Sequence, residues 1–97
     1  MATYITLIKF TEQGAKTIKE LPARVDANKK RLRDLGCELK SYYLTMGQYD
    51  VVVTFEAPND EAIAKFALMI GSQGNATTQT LRAFSEDETR KLIAALP

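Results

Sequence analysis

The sequence predicts an α+β domain of the ferredoxin-like type: an antiparallel four-stranded sheet in the chain order β-α-β-β-α-β, with a C-terminal helix added. Three observations carry this. Four segments rich in β-branched and aromatic residues alternate with two stretches of helical periodicity. A glycine-bearing turn, Gly47-Gln48, joins the two middle segments as a hairpin. The length, 97 residues, fits a single domain spanning 1–97.

Residues 3–10, TYITLIKF, read as the first strand, with Tyr4, Thr6, Ile8 and Phe10 on one face and Ile5, Leu7 and Lys9 on the other. Both faces are largely apolar, which places this strand centrally with cover on both sides. Residues 11–35 read as helix with a break. Thr11 is a capping residue, Gly14 weakens the first turn, and Pro22 suits the first turn of a longer helix over about 22–35. Ile18, Leu21, Val25, Leu32 and Leu35 form its inward stripe, and Gly36 stops it.

Residues 37–46 and 49–56 read as the second and third strands, antiparallel across a two-residue Gly47-Gln48 loop. Pro58 ends the third strand, and Asn59 or Asp60 caps a helix over 60–72 with Ile63, Phe66, Ala67 and Ile70 inward. Residues 75–84 read as the fourth strand. Ser85 with Glu88 makes a capping box for a short last helix whose apolar side is Leu92, Ile93 and Leu96. Two helices cover one face of such a sheet. The other face keeps apolar side chains, so packing against a second copy is expected, as in dimeric α/β barrels.

Composition narrows the function. The chain is 45% hydrophobic and 26% charged with formal net charge +1, which argues against a mainly electrostatic binder of nucleic acid or anionic membrane. No apolar run approaches the roughly 20 residues of a membrane span, and MATYITLIKF lacks the marks of a signal peptide. A soluble cytoplasmic protein is the expectation. The chain has no histidine, which removes His-ligated haem, most zinc sites and any Ser-His or Cys-His nucleophile pair; no metal or cofactor is expected. The one cysteine, Cys37, reads as a small buried hydrophobe.

Tyr49-Asp50 at the mouth of VVVTF has two readings. Asp50 is a proton acceptor and Tyr49 a donor to a ligand, or Asp50 accepts backbone N–H groups near the turn and Tyr49 fills the sheet end. The second is simpler. Counting through the turn pairs Tyr43 with Val52 and Tyr42 with Val53, so Tyr43, Thr45, Asp50, Val52 and Thr54 share a face, to which Tyr4, Thr6 and Ile8 can belong. This surface reads as a dimer interface or a small-ligand cavity. The run Lys29, Lys30, Arg31 and Arg33 reads as a solvated helix face, Ser72-Gln73-Gly74-Asn75 as a plain loop, and Arg82 as the partner of Glu56 or of an acidic ligand.

GQYDVVVTFEAPNDEAIAKF followed by GSQGNATTQTLRAF resembles the GYD domain family, through Gly47-x-Tyr49-Asp50, Glu56-Ala57-Pro58, Gly74-Asn75 and Thr80-Leu81-Arg82-Ala83-Phe84. The resemblance spans nearly the whole chain. It implies a ferredoxin-like fold and a bacterial or archaeal source, and it implies no reaction.

Two functions follow as expectations. One is a homo-oligomeric domain, bare or with a small molecule at the sheet face, held by Tyr43, Tyr49, Asp50, Glu56 and Arg82. The other is a cofactor-independent oxygenase or isomerase of the dimeric α/β-barrel type acting on a small hydrophobic acid. There Asp50 or Glu56 would accept the proton and Tyr43 or Tyr49 would orient the substrate.

Overall fold

The computed structural model describes residues 1–97 and contains β1 (Ala2–Phe10), α1 (Glu12–Lys16), a 3-10 turn (Ile18–Glu20), α2 (Leu21–Asp34), β2 (Glu38–Leu44), β3 (Val51–Ala57), α3 (Asp60–Ser72), β4 (Ala76–Ala83) and α4 (Glu86–Ala94). All pairings are antiparallel and the strand order is β2-β3-β1-β4. That is the ferredoxin-like order, with β1 and β3 central.

Local chemistry sets the helix ends. Asn59 Oδ1 accepts the Ala62 N–H at 2.9 Å, so Asn59 is the cap of α3, and Asp60 in its first turn accepts the Tyr4 hydroxyl instead. At the end of α2 the Cys37 N–H reaches Leu32 O and the Gly36 N–H reaches Arg33 O, both at 2.9 Å. These are the two bonds of a Schellman stop, and they require the left-handed φ of 79° that Gly36 adopts. The predicted helix break appears as the 3-10 turn, with Pro22 in the first turn of α2.

Register decides which face each strand residue occupies. Tyr4 pairs with Phe55, Thr6 with Val53 and Ile8 with Val51, and these alternate positions face α2 and α3. Phe55 and Val51 are almost wholly buried there, and Phe55 meets Phe66 of α3 edge-to-face at 6.0 Å between centroids. A fully buried ring of this kind contributes about 1.5–3 kcal/mol by burial alone. Tyr4, Thr6 and Ile8 therefore lie opposite the face that carries Tyr43 and Val52, which corrects the expectation that they share it.

Two further expectations change. Thr45 N donates to Asp50 O at 2.8 Å as the last main-chain bond of the hairpin. The loop is thus Met46–Tyr49, wider than the two residues predicted. The Thr45 hydroxyl draws in the Tyr49 carbonyl at 2.6 Å, while the Tyr49 ring leaves the ladder to bond Gln79. Ile18 is exposed and does not join the inward stripe, because the 3-10 turn rotates it away from α2.

Candidate functional site

The face of the sheet turned away from α2 and α3 is crossed by rows of side chains that the register defines. One row runs Tyr43, Val52, Leu7, Gln79 from β2 to β4; the next runs Ser41, Thr54, Ile5, Leu81; a third runs Glu38, Glu56, Thr3, Ala83. Ile5, Leu7, Val52 and Leu81 make an apolar centre, and hydroxyls, amides and carboxylates surround it. Ser41 and Thr54 share a hydrogen bond across β2 and β3. The register slips between Leu39 and Ser41, and Lys40 at that bulge pairs with Glu38 at 3.0 Å, which holds its ammonium pKa above the ordinary value. None of the four helices covers this face, whereas the opposite face is the core.

The predicted site residues are distributed as follows. Tyr43 stands on the open face at the edge strand and is exposed. Tyr49 reaches over the same face, and its hydroxyl donates to Gln79 Oε1 at 2.9 Å. Glu56 lies on this face at the far end of β3, two rows from Tyr43. Asp50 precedes β3, and its Oδ2 accepts the Phe10 N–H at 2.8 Å. One of its carboxylate oxygens thus completes the main-chain ladder between β1 and the hairpin.

Arg82 is elsewhere. It pairs with Tyr4, so it belongs to the helix side. Its guanidinium lies 4.3 Å from the Phe84 ring centroid and 5.7 Å from that of Tyr4, and it donates to the Thr3 and Ala83 carbonyls. Glu56 and Arg82 sit on opposite faces and form no ion pair, contrary to the pairing expected. Tyr43, Tyr49 and Glu56 share the face within one chain; Asp50 and Arg82 stand apart from them.

What the sequence reading passed over is the centre of the surface. Ile5 and Leu7 were visible as the second apolar face of β1, but Leu81 and Gln79 join them only once β4 pairs with β1. Cys37 is buried, and burial pushes its thiol pKa up. No three carboxylate or thiol side chains are grouped as a metal site would require. No helix is long and apolar enough to cross a membrane. The loop 73–75 is tied to α1: Thr11 bonds Gly74 O and Asn75 O, and the Gln13 amide bonds Gln73 O and Asn75 Oδ1.

Comparison with known proteins adds three findings. The model of the GYD domain matches residues 4–93. A protein of Thermus thermophilus named glutamine synthetase and cystathionine beta-lyase binding protein is 34% identical over 84 residues, which is 86% of this chain and 88% of that one. The crystal structure of a hypothetical protein from Pyrococcus horikoshii superposes with a TM-score of 0.54 at 21% identity, covering 89% of this chain and 93% of that one, a likeness of fold alone.

Proposed function

The chain belongs to the GYD domain family, and we propose that it is a homo-oligomeric binding module that engages other proteins through a self-assembled scaffold. The observation that carries this reading is the uncovered sheet face. Its centre of Ile5, Leu7, Val52 and Leu81 is apolar, and the chain's own helices lie on the other side. A small domain gains by burying such a surface, and a second copy offers a matching one, with sheet packed on sheet as in a dimeric α/β barrel. Protein partners are supported by the relative's name. By that likeness the partners are enzymes such as glutamine synthetase and cystathionine beta-lyase. A small molecule at the margin of the same face, beside Tyr43, Tyr49 and Gln79, is the narrower part of the proposal.

The enzyme alternative has less support. Its carboxylates and tyrosines do not converge on one point within a chain: Asp50 is engaged with a main-chain N–H, and Glu56 stands at the other end of the sheet.

Native mass spectrometry tests the proposal. A defined oligomer is expected, reduced to monomer by Leu81→Glu at a half-exposed position of the open face. Added purified glutamine synthetase should appear in a heavier complex, and a retained extra mass would identify a ligand. A wild-type chain that stays monomeric at all concentrations overturns the assembly.

A further inference from the structure

On the opposite side of the sheet, between α2 and the strands, a cavity of ≈ 80 Å³ opens to solvent. Its floor is the apolar surface of Ile8, Val51, Val53, Leu32, Phe66 and Ile70. It exists because α2 packs loosely: Leu32 is the single buried residue along that helix.

The polar residues of the lining add a different chemistry. Of the residues that line the cavity none is an aspartate or glutamate, while Arg24 and Lys29 are both present. Arg24 is committed to its own helix start: it donates to Thr17 and Gly14 oxygens and lies 3.7 Å from Glu20. Lys29 forms no ion pair. Asn28 Oδ1 accepts from Arg31, and its amide N–H groups remain as donors. The Tyr42 hydroxyl has no protein partner, and burial raises its pKa, which keeps it a protonated donor.

We propose that this cavity is a binding site for a short aliphatic carboxylate, its chain seated on the apolar floor and its carboxylate held by Lys29 and Asn28 of α2 and by the Tyr42 hydroxyl. An apolar pocket with a few donors at one end selects an amphipathic ligand. The absence of any acid from the lining, with the unpaired Lys29 ammonium in it, selects an anion over a cation or a neutral alcohol. The site is independent of the open sheet face and of the assembly proposed for it.

The test is titration of the isotope-labelled protein with hexanoate, followed by amide chemical shifts, with hexan-1-ol as the neutral control. Saturable shifts are expected at Val25, Leu32, Val53 and Ala76. Lys29→Gln, at an exposed position, should weaken hexanoate about tenfold and leave hexan-1-ol unchanged. The proposal fails if hexanoate does not saturate at millimolar concentrations. It also fails if hexanoate and hexan-1-ol bind alike in both variants, or if the shifts map to Ile5, Leu7 and Leu81 on the open face.

Discussion

The Asp50 carboxylate accepts the backbone N–H of Phe10 at 2.8 Å, closing the β1–β3 ladder where main-chain pairing stops. The Asp50 N–H donates to Ile8 O, and its carbonyl accepts from Thr45, so this one residue joins three strand ends. Asp50→Asn keeps an acceptor oxygen in place and should cost less than about 1 kcal/mol of stability. Asp50→Ala leaves a partly buried N–H unpaired and should cost about 1–3 kcal/mol. Urea unfolding of the two variants checks this. Equal losses in both, or none, would remove the structural role and return Asp50 to the candidate functional residues.

Gly14 offers a test of sign. On helix propensity alone, Gly14→Ala in α1 should stabilise the chain by up to about 1 kcal/mol. Yet a methyl group there would lie well inside van der Waals distance of the Asn75 carbonyl oxygen, the same oxygen that accepts the Thr11 N–H. Backbone cannot step aside as a flexible side chain would. A loss of about 1–3 kcal/mol is expected, with weakened protection of the Thr11 amide in hydrogen exchange. An unchanged or raised unfolding midpoint would show that α1 does not sit this close to the loop.

These two residues mark what was legible in the sequence. Asn59, Gly36, and Ser85 with Glu88 announced helix ends because the atoms they bond are within a few residues of them. The chain order of strands and helices followed from the alternation of apolar segments, and the Tyr43–Val52 pairing from counting through the turn. Gly14 gave no such signal. For Asp50 the simpler reading was an acceptor of backbone N–H groups near the turn, beside that of a base, but which N–H it takes was not legible. Their partners, Asn75 and Phe10, come close only after the sheet has formed. Gly14 thus looked like a weak helix residue. The faces of β1 were ambiguous for a related reason: both are apolar, and only pairing with β3 decides that Tyr4 is inside and Leu7 outside. Lys29 read as one charge in a solvated run, because the cavity beside it arises from how α2 rests on the sheet.

Tyr4 should make stability pH-dependent at the alkaline end. Its hydroxyl donates to Asp60, and that bond, with burial, raises its pKa above the ordinary value of 10.0; Arg82 nearby opposes the shift. The raised pKa favours the protonated form in the folded state. The contribution is complete below about pH 10, where the unfolded tyrosine is still protonated, and is lost as pH climbs through the higher folded value. Urea midpoints taken from about pH 8 to 11 should fall more steeply for the wild type than for Tyr4→Phe. Parallel curves would contradict the Asp60 bond.

The last helix should melt on its own. Ser85 Oγ accepts the Glu88 N–H and the Glu88 carboxylate accepts the Ser85 N–H, a complete capping box that also holds the Glu88 pKa below its ordinary value. Yet α4 has no buried residue, and Leu92, Ile93 and Leu96 are exposed. A nine-residue helix with no buried residue depends on its cap, since isolated helices this short are marginal in water. Ser85→Ala removes about 1 kcal/mol from this helix alone. The Arg90–Ala94 amides should then exchange faster while the unfolding midpoint of the sheet stays put. Acid should act in the same direction. The lowered Glu88 pKa contributes stability above its ordinary value of 4.5, and that contribution is lost as pH falls through the depressed folded value. If Ser85→Ala instead lowers the midpoint of the whole domain, α4 is packed against something in solution, and a second copy of the chain becomes the first partner to test.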